Sequence, residues 1–338
     1  MNRSPRFFLS LYFTCCIIAA GAQDVAQLHE TARAFMRQAD YYNAILILNR
    51  AILQDPKNLE ISKDLGLNYY FAKDYNRALS IYKPLLERED ADDQSFQVAG
   101  DIYLALDLPK DCEKIYKRGL KKFPQSGALY NVLGELMWSQ KDFDAIKQWE
   151  KGIEMDPAYS RNYYNASRYY YFTLDKVWGL LYGEIFLIME PLSADAPELK
   201  NILLEGYKKL FAEADLEKNP KEKNSFVLAF IHTMNKQSAL AANGIDAESL
   251  TMIRTRFILD WYNEYGNRFP FRLFELQRQL LQEGLFEAYD QWIFTAAMNL
   301  PYYQNWTETH ASEYKELMRF QNGRIFKIPA GQYYHQQN

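Results

Sequence analysis

The sequence predicts an all-α protein, a solenoid of stacked helical hairpins followed by a further helical region. Three observations carry this. Residue types return every 34 positions over the first 193 residues, with Pro56, Pro124 and Pro191 in register. Apolar residues within each repeat lie on helical stripes. Ile61, Leu65, Tyr69 and Ala72 form one, and Ala44, Ile45, Leu48, Ala51 and Ile52 form its partner. Asp55-Pro56 and Asp156-Pro157 end hairpins, because the residue before proline is biased away from helix.

Residues 1–22 stand apart from this fold. Arg3 and Arg6 precede an apolar run over 7–20 that is too short and wrongly flanked to span a bilayer. Ala20-Gly21-Ala22 fits an A-x-A cleavage site, which predicts a signal peptide and a mature start at Gln23. Tyr12-Phe13-Thr14 ahead of Cys15-Cys16 does not fit a lipoprotein signal. The expectation is export, to a periplasm or outside the cell, with no membrane span after cleavage.

Five hairpins are expected over 23–193. The first carries Leu28, Ala32, Phe35, Tyr41, Ala44, Leu48, Ala51 and Pro56. The second, 59–92, carries Leu65-Gly66, Tyr69, Tyr75, Ala78 and Tyr82. The third has Phe96, Gly100, Tyr103, Tyr116, Gly119 and Pro124, with Cys112 at the alanine position. The fourth has Leu133-Gly134, Met137, Phe143, Ala145, Trp149, Gly152 and Pro157, and is one residue short near the start of its second helix. The fifth is looser, with Tyr163, Ala166, Tyr170, Gly179, Gly183 and Pro191. Ala32, Gly66, Gly100 and Gly134 fall where two helices cross, and a larger side chain there would force them apart. One hairpin cannot bury its own apolar face, so stacked copies share a core. The apolar run 183–190 needs a cover, which the helices after 195 are expected to supply.

Residues 194–338 lose the clean repeat but stay helical. Leu199, Leu203, Tyr207 and Leu210 make one stripe, and Leu250, Ile253, Phe257 and Trp261 another, between Asp246 and Gly266. Residues 215–224 read as an exposed loop. Residues 270–301 read equally as a degenerate copy of the repeat or as an ordinary helical hairpin, because Gln277 and Tyr289 stand where small residues are needed. After Pro329 no helical stripe remains, and the tail is expected to be extended.

Composition narrows the function. Losing Arg3 and Arg6 with the leader takes 39 basic residues to 37 against 43 acidic, a formal charge of −6. That argues against nucleic acid or an anionic membrane as the main partner. Cys112 would be the one cysteine left, so no internal disulfide forms, and it reads as a small buried residue. Tyrosine, with 26 copies, exceeds what the core demands and is favoured at binding surfaces. His29, His232, His310 and His335 fall in no metal-ligand spacing, and Glu308, His310 and Glu313 read as a solvated helix face. No catalytic motif, phosphate-binding loop or cofactor signature is found. Asn165-Ala166-Ser167 and Asn305-Trp306-Thr307 fit the glycosylation triplet.

The second copy, with L-G-x2-Y and then Ala78-x3-Tyr82, together with the closing prolines Pro56, Pro124, Pro157 and Pro191 of other copies, resembles the tetratricopeptide repeat. The resemblance covers about half of the chain, and the remainder resembles no family of known function. It implies a protein-binding scaffold whose first helices line a concave groove. Carried over position by position, the groove residues are His29, Arg33, Met36 and Arg37; Lys63, Tyr70 and Phe71; Gln97 and Asp101; Asn131, Glu135 and Trp138; and Arg161, Tyr164, Arg168, Tyr171 and Phe172. Exposed Trp138, Tyr164 and Tyr171 beside Arg161 and Arg168 would have the composition of a binding hot spot. Tyr171 and Phe172 could equally pack against the C-terminal helices. His29, Arg33, Lys63 and Leu67 do not match the sub-family that clamps a chaperone's terminal carboxylate. The expected function is an exported, non-enzymatic scaffold that binds a protein or peptide segment within a cell-envelope complex. The alternative is an enzyme or small-ligand binder with a site around Trp261, Trp292, Trp306 and His310.

Overall fold

A computed structural model describes residues 25–173, 175–212, 223–322 and 325–336. The predicted leader and most of the predicted 215–224 loop lie outside them. Helices account for the described secondary structure, with no strand among the described residues. None of these helices is long and apolar enough to cross a membrane. Two compact units divide after Pro124.

The first unit holds three hairpins: α1 (25–37) with α2 (Tyr41–Gln54), α3 (Leu59–Phe71) with α4 (Tyr75–Leu85), and α5 (Asp93–Ala105) with α6 (Pro109–Lys122). Side chains cap the helix starts, as when Asn58 accepts from the Ile61 amide at 3.1 Å and Asp92 from the Ser95 amide at 2.9 Å. The expected crossings form. A Cβ on Gly66 would sit 2.6 Å from the Tyr82 ring, and one on Gly100 would fall inside the Tyr116 ring's contact surface. The ring also returns a hydrogen bond to the first helix. The Tyr82 hydroxyl donates to the Lys63 carbonyl at 3.1 Å, and the Tyr116 hydroxyl to Asp101 Oδ1 at 2.5 Å.

The repeat has a backbone signature that side-chain patterning does not reveal. Ala39, Lys73, Asp107 and Lys141 all have positive φ, between 57° and 62°, and stand 34 residues apart. Each ends a first helix in a left-handed cap, and the next residue's amide reaches back to the helix, as from Asp74 to the Tyr69 carbonyl at 2.8 Å. A side chain in this conformation is strained, and glycine is not. Lys73→Gly is therefore expected to stabilise by a few tenths to about 1 kcal/mol, with Lys73→Ala neutral, in thermal denaturation. The missing residue of the fourth copy falls just after this cap. Lys141 keeps its place, and the next helix starts late, at Ala145, whose amide bonds the Asp142 carbonyl at 3.2 Å.

The second unit continues with α7 (Gly127–Ser139), α8 (Ala145–Met155), α9 (Ser160–Tyr171) and α10 (Lys176–Met189). It then adds α11 (Ala196–Ala212), α12 (Ser225–Asn235), α13 (Ser238–Ala241), α14 (Ala247–Glu264), α15 (Arg272–Gln282) and α16 (Phe286–Asp290). A π-turn over Gln291–Thr295 leads into α17 (Ala296–Met298), then α18 (Leu300–Thr309) and α19 (Ala311–Asn322). The sequence placed a domain boundary at 193/194, whereas this compact unit begins at Gln125. The physical reason is that α11 covers the fifth hairpin. A Cβ on Gly183 would meet Leu203 at 3.1 Å and Leu199 at 3.2 Å, and Ile185, Phe186 and Leu187 join the core of the later helices.

A buried ionic network ties these helices together. Arg254 of α14 pairs with Glu184 of α10 and Asp290 of α16, and all three are buried. Glu184 also accepts from Gln277 at 2.7 Å and from the Tyr289 hydroxyl at 3.0 Å. Burial pushes the Asp290 carboxyl up while Arg254 pulls it down, and burial prevails. Gln277 and Tyr289 are the two positions that broke the repeat pattern in 270–301. That segment is a helical hairpin turned at Gly284 (φ 71°), with polar side chains where the crossing would be small.

The tail after Pro329 is not merely extended. It closes in a short 3₁₀ turn at Tyr334–Gln336 and docks on the core. The Tyr334 ring stacks on Phe226, with centroids 4.5 Å apart, and its hydroxyl donates to the Pro270 carbonyl at 2.7 Å. His335 Nδ1 lies 2.8 Å from the Tyr182 hydroxyl. Burial lowers the His335 pKa from 6.5 to about 4. The unfolded chain therefore gains a proton near pH 6.5 that the docked tail refuses until about 4. Stability from this group is full above 6.5 and lost as pH falls through 4, up to about 3 kcal/mol. Hydrogen exchange at 325–336 should accelerate over that range in the wild type and not in His335→Phe.

Candidate functional site

In the first unit the predicted groove residues serve mainly as ties between hairpins. His29 Nε2 and Arg33 Nε reach Asp64 Oδ2 at 2.7 and 3.0 Å. Lys63, expected to face the groove, is buried and spans Glu60 and Asp92 at 3.1 and 2.5 Å. Burial opposes its charge, yet the two carboxylates outweigh that and hold its pKa above the ordinary value. Arg37 is exposed and pairs with Glu30 at 3.0 Å. Asp101 accepts the Tyr116 hydroxyl. Tyr70 joins Phe71 and Tyr75 in an aromatic group, at centroid distances of 5.6 and 5.7 Å.

In the second unit α7, α8 and α9 bring several predicted residues together. Glu135, Trp138, Arg161, Tyr164, Asn165, Arg168, Tyr169 and Phe172 line a cavity of about 290 Å³, with Trp149 behind. Trp138 is 38% exposed and packs edge-on against Phe143 (5.8 Å) and Tyr169 (5.6 Å). Phe172 is 70% exposed. At the base the Asn165 amide donates to Asn131 Oδ1 at 2.8 Å and to Glu135 Oε1 at 2.9 Å. Asn165 is therefore committed to this network and buried, which leaves its glycosylation triplet inaccessible.

Three expectations are corrected. Tyr164, read as exposed, is only 5% exposed. Its hydroxyl donates to Glu198 at 2.7 Å, its ring lies beneath Arg161 and Arg168, and burial and that bond push its pKa up to about 12. Arg161 and Arg168, read as free donors, pair with Asp195 and Glu198 of the α10–α11 region. Asn131 is buried. Tyr164, Arg161 and Arg168 share one reason, that α11 and the turn before it close over α9 and supply the carboxylates, whereas Asn131 is buried by its contact with Asn165 of α9. Tyr171 takes the Lys209 ammonium over its ring at 3.7 Å, so of the undecided pair Tyr171 packs on the C-terminal helices while Phe172 stays exposed. Tyr169 was missed as a cavity residue, whereas Phe172 was among the groove positions.

The alternative site separates into unrelated parts. Trp261 is fully buried in an aromatic core, and Trp292 is buried beneath Lys200, whose ammonium lies 4.2 Å from the ring. Trp306 and His310 do line a cavity, of about 680 Å³, together with Asp246, Glu248, Glu287 and the π-turn residues Gln291 and Thr295.

Helix pairs with a small residue under the partner's aromatic ring, left-handed caps at 34-residue spacing and capped turns define a tetratricopeptide-type repeat array. No protein-family model matches the chain. The mouse (Mus musculus) protein described as BBSome complex member BBS4 is 29% identical over 129 residues, 38% of this chain. Those residues span 24% of the mouse protein. Solved structures with a similar fold include MamA (19% identity, TM-score 0.40, covering 50% of this chain and 93% of that one). PilF of Pseudomonas aeruginosa is 12% identical with TM-score 0.48, covering 58% and 88%. A tetratricopeptide repeat protein of Parabacteroides merdae is 15% identical with TM-score 0.42, covering 72% and 95%.

Proposed function

We propose that the protein is an exported, non-enzymatic repeat scaffold that holds a segment of another protein at the cavity between α7 and α9, within a cell-envelope assembly. The observation that carries this is the pair of exposed aromatics Trp138 and Phe172 lining a cavity with an amide and a carboxylate at its base, with exposed Phe143 packed against Trp138. Large exposed aromatics around a pocket supply the desolvated area on which binding hot spots rest. Glu135, exposed and held by Asn165 at one oxygen, offers its carboxylate to a bound backbone. Arg161 and Arg168 shape the wall rather than grip the partner, because their charges are already met. The mouse relative's description as a complex member agrees with an assembly role. Export rests on the leader sequence alone.

The experiment is affinity purification of the mature protein from its own envelope fraction, compared with Trp138→Ala, Phe172→Ala. Both side chains are partly or largely exposed, so helix content and melting should stay close to wild type. Partner recovery should fall sharply, because each hot-spot truncation costs about 2 kcal/mol or more of binding. Full recovery with the variant would place the working surface elsewhere.

A further inference from the structure

The C-terminal cavity has an electrostatic character that the α7–α9 cavity lacks. Asp246, Glu248 and Glu287 line it, and among the described residues no lysine or arginine does. Around the α7–α9 cavity, by contrast, Asp195 and Glu198 are met by Arg161 and Arg168. Deeper in the unit Glu184 and Asp290 are met by Arg254. Asp246 is partly engaged in capping α14 through the Ser249 amide at 2.8 Å, while Glu248 and Glu287 stand exposed.

The rest of the wall suits a charged head on an apolar stem. Met252, Met298 and Tyr302 are exposed there, and Trp306 lies flat against His310 with centroids 4.7 Å apart. Thioethers adapt to aliphatic chains, and aromatic faces attract cations. The π-turn places Gln291 and Thr295 on the same wall, a local irregularity of the kind found at functional sites. Among the described residues no three His, Cys, Asp or Glu side chains converge as metal ligands. The carboxylates are thus spread over a volume of about 680 Å³, which favours an elongated organic cation over a bare metal ion.

We propose that this cavity binds an organic cation, an ammonium or guanidinium group on an aliphatic stem. Carboxylates with no lysine or arginine beside them among the described lining residues concentrate a negative potential that recruits such a group and repels anions. The source is a lysine or arginine side chain of a protein segment or a free polyamine. The site is separate from the α7–α9 cavity and stands whether or not that cavity takes a partner.

Calorimetric titration of the full mature chain tests this with two probes, spermidine and a lysine-rich dodecapeptide. A glutamine-for-lysine version of the peptide and an uncharged diol are the controls. Saturable binding of at least one cationic probe is expected, weakened by added salt, with neither control binding. Glu248→Gln, Glu287→Gln should weaken it at least about tenfold with melting unchanged, because both side chains are exposed. Trp138→Ala, Phe172→Ala should leave it intact. Spermidine alone would assign a free polyamine, and the peptide alone a presented side chain. Absence of binding by both probes, equal binding of the uncharged controls, or wild-type affinity in the double glutamine variant would overturn the proposal.

Discussion

Arg254→Met is expected to destabilise the second unit by about 3–5 kcal/mol, the largest effect of any single truncation considered. The arginine is 2% exposed and lies between Glu184 and Asp290, themselves 3% and 0% exposed. Its guanidinium also faces the rings of Phe286, Tyr289 and Phe294 at 5.2–5.7 Å. Methionine can fill most of that volume, so little of the loss comes from a cavity. The loss comes from two carboxyl groups left in a dry core without a cation, where each must hold an uncompensated charge or take up a proton. Asp290 already has a raised pKa with the arginine present, and it should rise further without it. The damage should therefore be smaller at acid pH, where the Asp290 carboxyl can be neutral. Urea unfolding at pH 5 and pH 8 checks this, with the larger loss expected at pH 8. A loss under about 1 kcal/mol at both values would mean that water reaches the network and screens it.

That network was not legible in the sequence, for a physical reason. Arg254 sits between Ile253 and Phe257 on a stripe that reads as amphipathic, so an arginine beside it is taken for its solvated edge. What reverses the reading is a carboxylate seventy positions earlier, inside the apolar run of the fifth hairpin. Glu184 was the available signal: the one acid within the buried stretch 177–187 of α10 must find a cation. Contacts of this range are invisible to periodicity. The hairpins, by contrast, were readable because their rule is local. A glycine at one position and an aromatic sixteen or fifteen residues later suffice to fix the crossing. The same contrast holds at the candidate site. Trp138 and Glu135 were found because the family pattern points them outward. Tyr164 and Arg168 point the same way but meet Glu198 of α11, a helix that the pattern does not include. Position in a repeat predicts direction, not what stands in that direction.

Gly100→Leu is expected to cost about 3 kcal/mol or more, at the upper end for overpacked cores. Steric room at this position is smaller than the repeat pattern alone implies. A bare Cβ would already overlap Tyr116, with its Cδ1 and Cζ both at 2.6 Å. The ring has nowhere to retreat. It is 1% exposed, Cys112 one turn earlier is fully buried, and its hydroxyl is held by Asp101 on the helix that carries Gly100. Moving the ring would break that bond, and moving the helix would open the hairpin, whose two neighbouring crossings are built the same way. Even Gly100→Ala should destabilise, although alanine is the better helix former by about 1 kcal/mol. The mechanism is tested by a double-mutant cycle. Gly100→Ala in a Tyr116→Leu background should cost much less than in the wild type, because the smaller side chain vacates the space. If alanine and leucine at 100 leave the melting temperature unchanged, or if the cycle shows no coupling, the ring does not rest on Gly100 and the assigned register of the third hairpin is wrong.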